Sequence, residues 1–254
     1  MQWSIKVDEV YKWFYSAKQR VEAIAGTTFV VADGSFVALI GPSGCGKSTI
    51  LNCVAGLISP NRGMVSVRGQ RVDGPTPGLG YMTQRDALLP WRRVIDNVAL
   101  PLQFRGVGRP EREERARDWL IRVGLSDFQH LYPRELSGGM VKRVALARTM
   151  VCEPHTILMD EPFGNLDAQM RLQLQSELVA LWEGARKSVL FVTHDIDEAI
   201  ALSDEIVVLS PMPSRVVSVV PVPLARPRNA IRGRLDPEFG RLREHVYQLS
   251  GLLG

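Results

Sequence analysis

The sequence predicts an α/β core that is interrupted by a mostly helical insert. Three short apolar runs, TILMD, SVLFVT and EIVVLS, are separated by stretches of helical pattern, as is typical of buried parallel strands. A fourth apolar run, SFVALI at 35–40, precedes a glycine-rich loop and a helical pattern, KSTILNCVAGL. From about 93 to 154 the pattern is helical. Strands that alternate with helices favour a parallel sheet.

The other segments are predicted from local patterns. Glycines mark the ends of GMVSVRGQRVDG, which predicts a small hairpin. Within the insert, EREERARDWLIRVG places Ala116, Leu120 and Val123 on one apolar stripe and charges on the rest. The segment after 211 carries several prolines and one last helical pattern near RLREHVYQL. The sequence assigns this tail, 211–254, no role.

Composition limits the classes of protein to consider. The chain has 254 residues, of which 45% are hydrophobic and 23% charged, and no apolar run approaches the roughly 18 residues of a membrane-spanning helix. No basic region followed by an apolar stretch predicts a secretory signal. Cys45, Cys53 and Cys152 lack CxxC spacing, which favours reduced thiols in a cytosol. The net charge of +4, without a block of five basic residues, predicts no nucleic-acid partner.

The stretch LIGPSGCGKSTIL matches the phosphate-loop pattern G-x-x-x-x-G-K-[ST]. Glycines let the backbone curl so that N–H groups point at phosphate oxygens, and the following helix adds partial positive charge. We expect Lys47 to reach the β- and γ-phosphates, Ser48 to hold Mg²⁺ and Thr49 to contact the α-phosphate. A plain glycine-rich turn would not explain the Lys-Ser pair. The predicted nucleotide-binding residues here are Gly41, Pro42, Ser43, Gly44, Cys45, Gly46, Lys47, Ser48 and Thr49.

An acidic pair follows the strand TILMD. Asp160 ends this apolar run, where a carboxylate is costly unless it meets a cation, so it is placed to orient the Mg²⁺ shell. Glu161 comes next, where a carboxylate can polarise the water that attacks the γ-phosphate. Alone, the pair could equally be a surface feature at a strand end. No Asn-Lys pair is present to read guanine, which argues against a GTPase.

A second anion site is predicted within ELSGGMVKRVALAR. Ser137, Gly138 and Gly139 open an amphipathic helix, so that a hydroxyl and free N–H groups face one way. Two phosphate sites and one nucleotide suggest that the second site serves a neighbouring chain.

These motifs together resemble the ATP-binding cassette family over essentially the whole chain. Residues 41–49 match its Walker A loop, 157–161 its Walker B strand and 136–140 its signature. Gln84 in YMTQRD matches the Q-loop, Asp167 in GNLDA the D-loop and His194 in FVTHDIDEA the switch histidine. Met140 stands where many members have Gln, and Asn165 replaces a smaller residue common in the D-loop.

The resemblance implies a fold and a mechanism. The fold would be a phosphate-loop, RecA-like ATPase core with an N-terminal antiparallel β subdomain and a helical signature subdomain inserted at 86–153, all within one domain, 1–254. Two copies would sandwich two ATP molecules head to tail, with Ser137 and Gly139 touching the γ-phosphate bound by the other copy's Lys47; Gly138 belongs to the same predicted ATP-binding set.

Roles for the remaining matched residues follow from the same resemblance. Gln84 would sense Mg²⁺ and the attacking water. His194 would hold the γ-phosphate while Glu161 acts as the base. Asp167 belongs to the catalytic set through the D-loop.

Within the family, the chain looks like the ATPase subunit of importers for nitrate, taurine and alkanesulfonates. The phrases that carry this likeness are LLPWRRVIDNV, LSGGMVKRVALAR and VTHDIDEAIALSDEIVVLS. It implies a membrane permease, an indirect solute-binding partner and a peripheral location on the cytoplasmic face of the inner membrane. The alternative is a cassette that acts as an ATP-driven clamp in nucleic-acid repair or translation. Such repair proteins insert a long coiled coil, and such translation factors usually carry two cassettes.

The sequence leaves alternatives for two predicted contacts, one with adenine and one with the permease. Phe14 is favoured by the family pattern to stack on adenine, but Tyr11, Trp13 and Tyr15 compete, and all could instead pack a strand on the core. The apolar residues of RDALLPWRRVIDN could form a docking patch for the permease or could anchor the insert. These residues are Leu88, Leu89 and Trp91, flanked by Arg92 and Arg93.

Overall fold

A computed structural model of the protein describes residues 3–16, 19–164, 166–228 and 230–250. Two β-sheets and seven α-helices make up the regular structure of these residues. The helices are α1 Lys47–Val54, α2 Val94–Phe104, α3 Arg109–Arg122, α4 Gly138–Met150, α5 Ala168–Ala185, α6 Ile196–Leu202 and α7 Pro237–Ser250. Among the residues described, none of the helices combines the length and apolarity needed to cross a membrane.

The first sheet is antiparallel and has the order β2-β1-β4-β5. Its strands are β1 Trp3–Ser16, β2 Gln19–Ala32, β4 Arg62–Val67 and β5 Gln70–Arg71. The pairing of β4 with β5 confirms the hairpin that glycine punctuation predicted. The pairing of β1 with β2 is a long hairpin that extends to Ser16 and Gln19.

The second sheet has the order β10-β9-β3-β8-β7-β6. Its strands are β3 Phe36–Ile40, β6 Leu79–Met82, β7 Thr156–Asp160, β8 Ser188–Val192, β9 Glu205–Leu209 and β10 Val216–Pro221. All neighbours are parallel except β9 and β10, so the four predicted apolar strands form one parallel sheet with β6. Helices α2, α3 and α4 lie between β6 and β7 in the chain, within the predicted insert at 86–153.

The parallel sheet separates two apolar clusters. Alternate residues of β3 face opposite sides: Phe36, Ala38 and Ile40 join the cluster on the helical side, and Val37 and Leu39 join the cluster shared with the antiparallel sheet. A strand buried on both faces needs apolar residues throughout, which is why these strands read as continuous apolar runs.

The tail contains a strand that the sequence pattern did not predict. Strand β10 pairs antiparallel with β9 at the edge of the sheet, where prolines are tolerated because one side of the strand needs no ladder bonds. The predicted last helix is α7, whose buried face is formed by Phe239, Leu242 and Val246. This face joins the same cluster as Ile200 and Leu202 of α6.

Candidate functional site

The loop between β3 and α1 has the backbone geometry that its glycines predict. Gly44 and Gly46 have φ of 77° and 104°, in the left-handed region that glycine adopts without steric cost. Helix α1 begins directly after Gly46, so its first N–H groups open toward the loop. The thiol of Cys45 is buried in the core, so this residue offers the loop its backbone rather than its side chain.

The Lys47 ammonium lies over this loop. Its Nζ donates to the carbonyl oxygens of Gly41 at 2.9 Å and Pro42 at 3.0 Å. The side chain is buried, so the two carbonyls provide the partners that a desolvated cation requires. The Lys47 ammonium is therefore held against the backbone of the phosphate loop.

Three strand ends meet beside the loop. Gln84 follows β6, Glu161 follows β7 and His194 comes shortly after β8, and these strands are adjacent and parallel. Carboxyl ends of parallel strands lie at one edge of a sheet, where α/β proteins bind ligands. An open pocket of about 370 Å³ at this edge is lined by the loop, by Gln84 and by Glu161.

Glu161 is the centre of this group. Its Oε2 accepts a hydrogen bond from Gln84 Nε2 at 3.2 Å, and its Oε1 lies 3.4 Å from His194 Nδ1. Its φ is 45°, a left-handed conformation that costs a residue with a side chain about 1–2 kcal/mol. Its N–H donates to the carbonyl of Val192, the last residue of β8, at 2.9 Å. Backbone strain of this kind is concentrated at functional sites. It cannot be predicted from a sequence pattern.

Asp160 is buried at the end of β7. Burial raises the pKa of its carboxyl, and the Ser48 hydrogen bond, which acts in the opposite direction, does not cancel this effect. A carboxylate and a hydroxyl beside a phosphate-binding loop are the hard oxygen ligands that Mg²⁺ takes together with substrate phosphates. Ser48 and Asp160 therefore fit this ion, and Gln84 at the same pocket completes the predicted set.

The predicted second anion site lies on a different element. Ser137 caps α4 by accepting a hydrogen bond from Met140 N at 3.4 Å, and both Ser137 and Gly138 are exposed. Gly139 is buried at the start of α4, and a Cβ there would lie only 2.5 Å from Met170 Sδ on α5. Ser137, Gly138 and Gly139 are all absent from the lining of the pocket at the phosphate loop.

Asp167 also lies away from that pocket. It caps α5, because its Oδ1 accepts from Met170 N at 2.9 Å. Asn165, one of the two departures from the family pattern, lies outside the described residues.

The long β1–β2 hairpin carries the aromatic candidates for adenine. Lys12 pairs with Ile24, next to Ala23, whose carbonyl lies 3.2 Å from the Cβ position of Gly46. Phe14 pairs with Val21 further along the same hairpin and is exposed. Tyr11 packs on Gly26, Arg20 covers the ring of Trp13 at 3.9 Å, and Tyr15 is exposed. The adenine contact of Phe14 stays a prediction.

Comparison with known proteins decides the family. Residues 24–164, more than half of the chain, match the protein-family model for the ABC transporter. The chain belongs to the ABC transporter family. Two curated relatives of this ABC protein match it along nearly its whole length. The taurine import ATP-binding protein TauB of Rhizobium johnstonii is 43% identical over 248 residues, 95% of this chain and 94% of the relative. The aliphatic sulfonates import ATP-binding protein SsuB of Bacillus anthracis is 39% identical over 245 residues, 96% and 95% of the two chains.

A solved structure agrees with the same assignment. It is a dimeric post-hydrolysis state of an ATP-binding cassette bound to ADP and Pi, with a TM-score of 0.77 and 29% identity. The match covers 87% of this chain and 100% of that chain. The predicted fold, a phosphate-loop ATPase core with antiparallel and helical parts, is confirmed, and the ABC protein is an ATPase.

The segment after Gln84 differs in part from the expected apolar patch of this ABC protein. Leu88 packs against the core and Leu89 is half-buried, whereas Trp91 is 72% exposed. The two leucines are thus partly buried, which fits the reading that they anchor the insert, and Trp91 is the exposed member of the three. Trp91 lines a polar groove together with Arg92 and Arg93.

Asn97 holds this segment in place and was missed by sequence reasoning. It is fully buried on α2, its Oδ1 accepts from Leu89 N at 2.8 Å, and its Nδ2 donates to the carbonyls of Leu89, Arg92 and Arg93 at 3.1 Å each. A lone amide on an apolar helix face was the available signal, since such groups are buried only with partners.

The raised pKa of Asp160 gives a stability prediction. A folded-state pKa above the unfolded value means that the folded protein binds the proton more readily. The ionised carboxylate therefore destabilises the ABC ATPase at neutral pH, and this cost disappears as the pH falls through the folded-state pKa. We expect Asp160→Asn to raise the Tm measured without Mg²⁺ and nucleotide at pH 7.5, and to abolish the further rise that Mg-ATP gives.

Thermal unfolding by circular dichroism, with and without Mg-ATP, measures both effects. Asp118→Asn on the exposed face of α3 is the matched control and should leave both Tm values unchanged. A Tm for Asp160→Asn well below that of the unmodified protein without ligand would contradict the sign of the argument.

Proposed function

We propose that the chain is the ATP-hydrolysing subunit of an importer for a small oxyanionic solute of the taurine, alkanesulfonate or nitrate type. The observation that carries the hydrolytic part is the meeting of Gln84, Glu161 and His194 beside the phosphate loop. The names of the relatives, import proteins for taurine and for aliphatic sulfonates, support the solute class over a nucleic-acid clamp.

The site residues divide the reaction among themselves. The loop amides and Lys47 bind the phosphates, and Ser48, Asp160 and Gln84 hold Mg²⁺, which when bound neutralises charge on the phosphate oxygens. Glu161 accepts a proton from water as the water oxygen forms its bond to the γ-phosphorus and the bond to the ADP oxygen breaks. Gln84 and His194, one on each carboxylate oxygen, orient Glu161 for this transfer.

A second copy of the chain completes the site. Ser137, Gly138 and Gly139 lie outside the pocket of their own chain, and Ser137 and Gly138 are exposed, as an anion site for a neighbour requires. Head-to-tail pairing would bring them to the γ-phosphate bound by the partner. The dimeric state of the solved ATP-binding cassette supports this arrangement.

The membrane partner would dock at Trp91. An exposed Trp that lines a groove is typical of residues that dominate binding energy, and Asn97 fixes the backbone of the segment before it. The permease would hold the ATPase on the cytoplasmic face of the inner membrane, and a solute-binding protein would deliver the solute on the other side.

Reconstitution tests this proposal. The chain is purified with its permease and solute-binding protein in proteoliposomes, and ATP hydrolysis is measured with taurine, an alkanesulfonate or nitrate. We expect one of these solutes to stimulate hydrolysis. Stimulation by none of them, with hydrolysis intact, would reject the solute class, and absence of hydrolysis in the reconstituted complex would reject the ATPase role.

The docking surface has its own prediction. We expect Trp91→Ala to reduce permease co-purification at least about tenfold, because truncating a central aromatic typically costs 2 kcal/mol or more. Leu235→Ala, which truncates an equally exposed apolar side chain in the tail, is the control and should co-purify normally. Equal recovery of the two variants would remove Trp91 from the interface.

A further inference from the structure

His194 lies beside Glu161, one of the residues that line the pocket. Its side chain is 55% exposed, and its Nδ1 lies 3.4 Å from Glu161 Oε1. An exposed imidazole has no core to fix its rotamer, so its position depends on the backbone that carries it. Thr193 and Asp195, its neighbours in the chain, determine that backbone.

The Thr193 hydroxyl connects the residue before His194 to the residue after it. The Thr193 side chain is buried, and its Oγ1 accepts a hydrogen bond from Asp195 N at 3.0 Å. The same hydroxyl donates to Glu198 Oε2 at 2.6 Å, the short distance typical of a hydroxyl bonded to a carboxylate. This hydroxyl and the cap that Asp195 Oδ1 makes to Glu198 N, at 3.1 Å, tie the turn at His194 to helix α6.

Glu198 is the buried anchor of this connection. Its Oε1 accepts from Gln175 Nε2 at 3.0 Å, and Gln175 is fully buried on α5. Arg171 Nε lies 3.8 Å from the same carboxylate, and Arg171 Nη1 lies 3.4 Å from Asp195 Oδ2. Burial raises the pKa of Glu198, and the Thr193 hydrogen bond is the largest effect in the opposite direction. Burying a carboxylate is expensive, so a site that keeps one must satisfy its oxygens with fixed partners.

We propose that Thr193, held by the buried Glu198–Gln175 pair, is a positioning residue that sets the imidazole of His194 against Glu161. The inference rests on the proposed function, because it assigns Thr193 an effect only through His194. The Thr193 hydroxyl bonds to Glu198 and Asp195 rather than to the phosphate loop or Glu161, so it acts on the reaction through its neighbour.

Two substitutions at Thr193 distinguish a positioning role from a role in packing. Valine has nearly the shape of threonine and keeps the packing at 193, but it can neither accept from Asp195 N nor donate to Glu198. Serine keeps the hydroxyl and loses only a methyl group. A role in packing predicts that serine is the worse replacement, and a role in positioning predicts that valine is.

A double-mutant cycle with His194→Ala tests the proposal. We expect Thr193→Val to lower kcat for ATP hydrolysis about tenfold with KM for ATP within about twofold, and Thr193→Ser to restore most of the rate. In the His194→Ala background, Thr193→Val should change kcat by less than about twofold, because residues that act through one another are not additive. Thr193→Ala takes the place of the valine variant if that variant does not fold.

A spectroscopic readout accompanies the kinetics. The protein has four histidines, His130, His155, His194 and His245, so the imidazole carbon–proton resonances of ¹³C-labelled protein are few. We expect Thr193→Val to shift the His194 resonance, assigned by its loss in His194→Ala, and to leave the other three in place. This measurement needs no nucleotide.

The outcomes separate the two levels of inference. If His194→Ala lowers kcat and Thr193→Val does not, or if the two losses multiply, or if the His194 resonance stays in place, the positioning role is overturned. If His194→Ala itself hydrolyses ATP at the unmodified rate while Thr193→Val still shifts the His194 resonance, the proposed catalytic role of His194 fails instead.

Discussion

Replacing Glu161 by glutamine is expected to lower kcat for ATP hydrolysis by about 100- to 10,000-fold, the range that loss of a general base produces. The amide keeps the volume and one acceptor oxygen of the carboxylate but cannot take a proton from water. The loop amides, Lys47 and Ser48 are unchanged, so ATP should still bind. We expect ATP to hold the variant as a dimer, because the step that would release the pair is blocked.

Three measurements check this result. Steady-state phosphate release gives kcat, a fluorescent ATP analogue gives binding, and light scattering gives the mass in Mg-ATP. Glu114→Gln, on the exposed face of α3, is the matched control and should behave as the unmodified protein. Hydrolysis by Glu161→Gln at the unmodified rate would exclude Glu161 as the base, and a monomer in Mg-ATP would argue against the shared site.

Gly56→Ala is expected to destabilise the protein by roughly 2 to 5 kcal/mol, the sum of a left-handed backbone penalty and an overpacked contact. Gly56 follows the end of α1 with φ of 72°, and a Cβ there would lie 1.7 Å from the carbonyl oxygen of Gly74. The obstacle is backbone, so it cannot rotate away as a side chain would. For a chain of this size we expect Tm to fall by about 5–15 °C.

Gly69→Ala isolates the backbone contribution. Gly69 has φ of 78° in the turn between β4 and β5, but a Cβ there would meet nothing within 4 Å. Gly69→Ala should lower the free energy of unfolding only by the left-handed backbone penalty, about 1–2 kcal/mol. Urea unfolding of both variants measures the difference, and equal stabilities would mean that the loop carrying Gly74 does not cross α1 as closely as described.

The parts of this protein that could be predicted from sequence are those in which local chemistry decides structure. The strand–loop–helix unit around Lys47 follows from burial of an apolar run, glycines where the backbone turns, and a helix that starts at the end of the loop. Asp160 and Glu161 could be predicted beside it, because parallel strands end at one edge. Strand bounds were close for the same reason, since both faces of each strand are buried.

Other features depend on residues far apart in the chain. The contact between Glu198 and Gln175 joins α6 to α5, and the four hydrogen bonds of Asn97 depend on how a loop returns to its helix. Glu161 has a left-handed φ where its N–H bonds to Val192 of β8, a residue about 30 positions further along the chain. Strand β10 escaped notice because edge pairing relaxes the composition that marks a strand.

The close approach of Gly139 to the Met170 side chain brings the beginnings of two helices, α4 and α5, into contact. One of these helices is capped by Ser137 and the other by Asp167, the two caps that the proposed dimer would present to its twin. There is no space for a methyl group at 139 unless the Met170 side chain moves, so glycine is the residue that allows this contact. In the proposed dimer, each neighbour would therefore meet both caps of a subunit across one close contact, which a larger residue at 139 would push apart.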